Sequence, residues 1–134
     1  MTYLLDAGPL IAALVKADQH HAWARDVLPT LKRPFMSCPE VLAEAAAMTG
    51  RPDIIVEMVK AGEIILAFRL EDHAAAVLNL LRKYSDQQMD LADACMVRMS
   101  ELHRDCIVVT VDSDFRVYRR NGRETIPLLG PPTD

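Results

Sequence analysis

No stretch of this sequence approaches the roughly 18 consecutive apolar residues of a membrane-crossing helix, and its first residues lack the basic start and long apolar run of a secretion signal. A cytoplasmic protein with no membrane attachment is therefore expected. Cysteine is sparse: Cys38, Cys95 and Cys106 are odd in number, form no C-x-x-C pair and lie among apolar residues, so buried free thiols are expected rather than bridges or zinc ligands. An excess of positive charge is missing too. Fifteen Lys and Arg against 19 Asp and Glu give a net charge of −4, which argues against binding nucleic acid by bulk charge, although Arg116, Arg119, Arg120 and Arg123 crowd one short segment. There is no internal repeat and no interior linker. A chain of 134 residues suits one domain with one core, placed at residues 1–129, followed by a loose tail at 130–134.

What is present is a succession of short apolar runs alternating with helical patterns. Tyr3-Leu4-Leu5 reads as a buried strand that stops at Asp6, with Gly8-Pro9 opening a helix to about Ala17. Asp18 is expected to cap a second helix, in which Trp23, Val27 and Leu31 keep helical spacing until Pro29 ends or bends it. Pro34 to Ser37 gives a second strand, Pro39 to about Met48 a third helix, Pro52 to Gly62 a fourth, and Ile64 to Phe68 a third strand. Asp72 is expected to cap a fifth helix with Ala74, Val77, Leu78 and Leu81 on its apolar face. Leu91 to about His103 is apolar on most sides and should be a central, covered helix. Cys106 to Thr110 reads as a fourth strand, Asp112 to Phe115 as the start of a helical turn, Asn121-Gly122 as a turn, and Ile126 to Leu128 as a last strand. Such alternation predicts an α/β fold, a parallel sheet with helices on both faces.

Four acids stand in apolar sequence where a polar residue needs a reason. Asp6 ends the first strand, Glu44 lies in the third helix, Asp93 begins the central helix, and Asp112 follows the fourth strand. Ionised carboxylates in such places are costly unless paired or bound to a cation, and no lysine or arginine has matching spacing beside them. A shared metal explains all four. Oxygen donors select magnesium or manganese over zinc, and such an ion can activate water and neutralise a phosphodiester during hydrolysis. Asp90 fits an N-cap and a site role equally well, as Asp114 fits a turn cap and an auxiliary ligand. Glu40 is expected to face solvent, and the four histidines to be surface or capping residues. The arginines at 116, 119 and 120 fit a solvated face or a phosphate-facing strip equally.

With these residues in place, the chain resembles the PIN-domain ribonucleases, and most closely the VapC-type toxins of bacterial and archaeal toxin–antitoxin pairs. The similarity rests on Leu4-Leu5-Asp6-Ala7-Gly8-Pro9-Leu10, Val41-Leu42-Ala43-Glu44-Ala45, Leu91-Ala92-Asp93-Ala94 and Val109-Thr110-Val111-Asp112-Ser113-Asp114-Phe115, in that order along nearly the whole chain. The resemblance implies a three-layer α/β/α domain with a five-stranded, mainly parallel sheet, and Mg2+- or Mn2+-dependent endoribonuclease activity on RNA. It further implies frequent homodimers and a small VapB-type antitoxin partner. By position, Asp6, Glu44, Asp93 and Asp112 would be the catalytic, metal-binding tetrad, with Asp114 auxiliary and Thr110 supporting. One departure is visible: where many members carry a serine, threonine or asparagine after the first Asp, this chain has Ala7.

Rival readings come from other classes. A receiver-like signalling domain would want an acidic pair after the first strand and a late lysine, but Asp6 is followed by Ala7 and no lysine follows Lys83. A haloacid-dehalogenase-like phosphatase would want Asp where Gly8 stands. A non-cleaving RNA- or protein-binding domain of the same fold and a solitary RNA-processing nuclease are the remaining alternatives.

Overall fold

The computed structural model describes residues 1–132, so the last two residues of the expected tail, 133 and 134, lie outside the described residues. In chain order the elements are β1 (Thr2–Leu5), α1 (Ala7–Leu14), α2 (His21–Val27), β2 (Phe35–Ser37), α3 (Pro39–Thr49), α4 (Pro52–Lys60) and β3 (Ile64–Leu66). These are followed by α5 (Ala74–Lys83), α6 (Leu91–Leu102), β4 (Cys106–Val109), β5 (Arg119–Arg120), β6 (Glu124–Thr125) and β7 (Leu128–Leu129). The central sheet has five strands in the order β3-β2-β1-β4-β7, and every pairing in it is parallel. Helices flank it. Consecutive residues of a strand point to opposite faces, yet Leu4 and Leu5 of β1 and Val108 and Val109 of β4 are all buried. Both faces of the middle strands are therefore covered, as the continuous apolar runs predict.

The chain builds outward from β1 to β2 and β3 on one side, then crosses to β4 and β7 on the other. The reversal opens a crevice at the carboxyl ends of β1 and β4, the place where open α/β sheets hold their ligands. Asp6 follows β1 directly and its N–H donates to the Val109 carbonyl at 3.0 Å, which ties the first acid to the end of β4. Helix α6 is covered along most of its length: Ala92, Ala94, Cys95, Met96, Val97, Met99 and Ser100 are buried. It packs against α3, α5, β1 and β4, so its amino end is fixed relative to the crevice.

Several local expectations shift, each for a visible reason. Helix α1 ends at Leu14 because Val15 is extended. Asp18 accepts from the His20 N–H at 2.8 Å and shapes the turn before α2 instead of capping it. Asp72 pairs with Arg69 inside a 3-10 turn, Leu70–His73, that precedes α5. The buried stripe of α5 is Val77 and Leu80, with Leu78 exposed, so the apolar face is rotated from the one read in the sequence. Strand β3 stops at Leu66, and Phe68 turns back to stack on His73 with ring centroids 5.2 Å apart. The Asn121-Gly122 turn, with φ of 51° and 82°, joins an antiparallel hairpin, β5 and β6, that the sequence did not suggest. Strand β7 begins after Pro127, whose carbonyl accepts from Val108 N–H but which has no N–H to return.

Candidate active site

Asp6 is the deepest of the acids, only 6% exposed. The Thr110 hydroxyl donates to its Oδ2 at 2.7 Å and accepts from the Asp112 N–H at 3.0 Å, so one side chain just past the end of β4 positions two acids. Thr110, expected in a supporting place, thus touches the first acid directly. It brings to Asp6 a hydroxyl that Ala7, fully buried, does not offer. Asp112 in turn accepts from the Asp114 N–H at 2.9 Å, opening the 3-10 turn Ser113–Arg116. The Asp114 contact to Asp112 is made by its backbone.

The amino end of α6 supplies the other side. Asp90 Oδ1 accepts from the Asp93 N–H at 2.8 Å, and Asp93 Oδ2 lies 3.4 Å from the Asp90 N–H, a reciprocal capping box. Asp93 Oδ2 also accepts from the Tyr118 hydroxyl at 3.2 Å. Tyr118 is fully buried and held edge-on against Tyr84 and Phe115. Sequence reading missed Tyr118. Its one signal is its place four residues after Asp114, on the turn that follows the last acids. Glu44, expected among apolar residues, is exposed on α3, whose buried residues are Val41, Leu42 and Ala45, so its carboxylate keeps contact with solvent.

Electrostatics connects these groups. Burial pushes the Asp6 carboxyl up to about 6, against the lowering effect of the Thr110 hydrogen bond, with Asp112 and Asp90 adding to the rise. Burial, then Asp90 and Asp6, push Asp93 up to about 7. Glu44 is raised by partial burial first and then by Asp90, Asp6 and Asp112. Three acids from three separate elements therefore sense the same neighbours. Among the described residues none of Asp6, Glu44, Asp90, Asp93, Asp112 and Asp114 has a lysine, arginine or histidine within 4.0 Å. A set of mutually repelling oxygens without a protein cation suits a hard divalent ion. Among the described residues the only trio of His, Cys, Asp or Glu donor atoms all within 4.8 Å of one another is Cys38, Glu40 and Cys95, so the carboxylate oxygens of the crevice do not form such a trio.

Beside Asp112 a cavity of about 120 Å³ is lined by His20, Thr110, Asp112, Ser113, Arg116 and Gly130. Arg116 is thus the arginine of its segment that lines this cavity beside Asp112. Arg120, expected on the RNA-facing strip, is instead 7% exposed: its guanidinium binds Glu124 at 3.0 Å and the carbonyls of Ser100 and Arg104. A buried guanidinium must find such acceptors, and these lie on the hairpin and the end of α6. The Arg119 guanidinium likewise turns to the carbonyls of Arg116, Val117 and Tyr118. Arg116→Ala is expected to weaken RNA binding and lower the slope of log affinity against log salt by about one. Arg120→Ala should leave the slope unchanged and cost stability by about 2 kcal/mol, read by urea unfolding beside salt-dependent RNA binding.

Gly8 and Gly130 pack closely against Val111 and Thr110. A Cβ on Gly8 would collide with Val111 Cγ2, and one on Gly130 would come within 2.6 Å of the Thr110 carbonyl oxygen. Both glycines let neighbouring backbone sit against the Thr110-Val111 link that carries Asp112. Gly8→Ala should destabilise the fold by about 1 to 3 kcal/mol in denaturant titration, the usual range for overpacking. An unchanged midpoint would mean that Val111 simply rotates away.

Glu40 departs from its expected solvent-facing role, because its Oε1 is buried without a hydrogen-bond partner. The three cysteines are buried and none forms a disulfide, as expected. Among the described residues no helix is long and apolar enough to cross a membrane. Compared with known families, residues 3–121, a span that contains Asp6, Glu44, Asp93 and Asp112, match the model described as PIN domain. No curated protein matches the chain.

Proposed function

The chain belongs to the PIN domain family, whose members are typically metal-dependent nucleases, and from that premise we propose that it is an endoribonuclease using Mg2+ or Mn2+. The observation that carries the reading is the gathering of Asp6, Glu44 and Asp93 around shared negative neighbours, with carboxyls raised and no protein cation among them. Asp6, Asp93 and Asp112 would hold the ion, with Glu44 completing the tetrad and Asp114 auxiliary. When bound, the ion lowers the pKa of its water and offsets charge on the phosphate. The remaining work belongs to the chain. The Thr110 hydroxyl orients the Asp6 carboxylate, the Tyr118 hydroxyl fixes Asp93, and Arg116 meets a substrate phosphate at the mouth of the cavity. Asp90 positions Asp93 through the capping box. Single-stranded or loop RNA is the substrate class proposed, because an unpaired strand presents its bases and backbone to protein side chains more freely than a duplex does.

The resemblance to VapC-type toxins extends the proposal to the toxin half of a toxin–antitoxin pair, a cytoplasmic homodimer held inactive by a small VapB-type antitoxin. Labelled single-stranded RNA incubated with the purified chain tests the chemistry: cleavage should require Mg2+ or Mn2+ and stop with chelator. Coexpression with the adjacent small reading frame tests the pairing. A stable complex that suppresses cleavage supports the toxin, whereas an active chain without such a partner points to a solitary RNA-processing nuclease. Tight RNA binding with no cleavage in any divalent metal would identify a non-cleaving member of the family.

A further inference from the structure

A second group of ligand-bearing side chains lies apart from the four acids. Cys38 directly follows β2 at the start of α3, Glu40 stands in the first turn of α3, and Cys95 lies in the second turn of α6. The two sulfurs and a Glu40 carboxylate oxygen all lie within 4.8 Å of one another. Both cysteines are fully buried. Glu40 Oε1 is the one buried side-chain polar atom among the described residues that has no hydrogen-bond partner. An oxygen in that position forfeits its hydration and gains nothing in return, so it marks a missing partner.

We propose that Cys38, Glu40 and Cys95 form a binding site for Zn2+, which ties the start of α3 to the second turn of α6. The donor set is the reason for the metal. Two thiolates with one carboxylate suit a borderline-soft ion with tetrahedral preference, whereas the all-oxygen acids of the crevice suit magnesium or manganese. A disulfide between the two sulfurs would leave the Glu40 oxygen without a partner; a cation satisfies all three groups, with water in the fourth position. Binding replaces two thiol protons, which pass to solvent, with two sulfur–zinc bonds, and needs no oxidant or reductant. The consequence reaches the crevice. Helix α3 carries Glu44 and α6 carries Asp93, so the ion braces the two helices that present those acids. No short cysteine motif announces the site, because its ligands come from two helices far apart in sequence.

Cobalt tests the site, since thiolate ligation gives Co2+ a near-ultraviolet charge-transfer band that oxygen ligation does not. The full chain is titrated with Co2+ in excess Mg2+, which keeps the acidic crevice filled. One Co2+ per chain with that band, displaced by Zn2+, is expected for wild type and for Cys106→Ser. Cys38→Ser and Cys95→Ser should lose the band. Glu40→Gln, which changes one part-exposed group and leaves both sulfurs, should weaken binding by roughly tenfold or more. Absence of the band in wild type, its persistence in the Cys38→Ser Cys95→Ser double variant, or full affinity in Glu40→Gln would each overturn the site. Should the serine variants fail to fold, the wild-type and Glu40→Gln titrations decide alone.

Discussion

Asp6→Asn and Asp93→Asn are each expected to lose at least about 10³-fold in RNA cleavage while keeping the wild-type fold, a loss of roughly 4 kcal/mol in transition-state stabilisation. Asparagine keeps the shape and an acceptor oxygen, so the contact from Thr110 or from Tyr118 survives, and only the charge is lost. That makes the pair informative. Asp93 has a structural occupation as well, since its carboxylate takes part in the capping box with Asp90 and accepts from Tyr118. If those contacts were its whole purpose, Asp93→Asn would preserve most of them and cleave at nearly the wild-type rate. Asp114→Asn provides a graded comparison: the contact between Asp114 and Asp112 is a backbone one, so an auxiliary role predicts a smaller loss, about tenfold. Circular dichroism and gel filtration on the same samples separate lost chemistry from lost structure. Wild-type cleavage by either asparagine variant of Asp6 or Asp93 would remove that residue from the metal site.

The second large effect is on stability. With its carboxyl held at about 6 instead of the ordinary 3.8, Asp6 costs the metal-free fold on the order of 3 kcal/mol at neutral pH. The sign follows from linkage. Below the unfolded value both states are protonated and the fold is spared the penalty; as pH rises through about 6 for Asp6 and about 7 for Asp93, that advantage is lost. Metal-free wild type should therefore lose stability between about pH 4 and pH 7, by roughly 10 °C in Tm. Asp93 is partly exposed and screened, so its own share is smaller. Added Mg2+ at about a hundred times its Kd should return about 2.7 kcal/mol and flatten the decline. Asp93→Asn, free of one repelling charge, should match or exceed metal-free wild type in Tm at pH 7 and respond much less to Mg2+. Asp93→Ala, which also loses the cap, should fall below Asp93→Asn by about 1 kcal/mol. If both variants melt below metal-free wild type and magnesium shifts all three alike, Asp93 is a cap and no ligand.

The sheet was legible because its strands are continuous apolar runs closed by Asp6, Ser37 and Thr110, and a strand covered on both faces has no other pattern. The acids were legible for a related reason: a carboxylate bounded by Leu5 and Ala7, or by Ala92 and Ala94, contradicts its surroundings. What the sequence concealed depends on contacts between distant residues. The rotated face of α5 depends on what it packs against. Arg120 looked like surface charge because nothing local announces that Glu124 and the carbonyls at the end of α6 surround it. Tyr118 reads as an ordinary core aromatic until its hydroxyl is found 3.2 Å from Asp93. Even the capping box, a local motif, left Asp90 and Asp93 open between two purposes, of which the structure shows the cap.

The central claim, that the acids of the crevice together hold a divalent ion, is tested most directly by Mn2+ binding followed through its electron paramagnetic resonance signal. Wild type and Asp6→Asn are titrated side by side, with Zn2+ limited to one equivalent per chain so that it fills any thiolate site without occupying the acids. Saturable Mn2+ binding to wild type, competed by Mg2+ and strongly weakened in Asp6→Asn, is the predicted result. No saturable binding to wild type, or equal affinity in the two proteins, would contradict it.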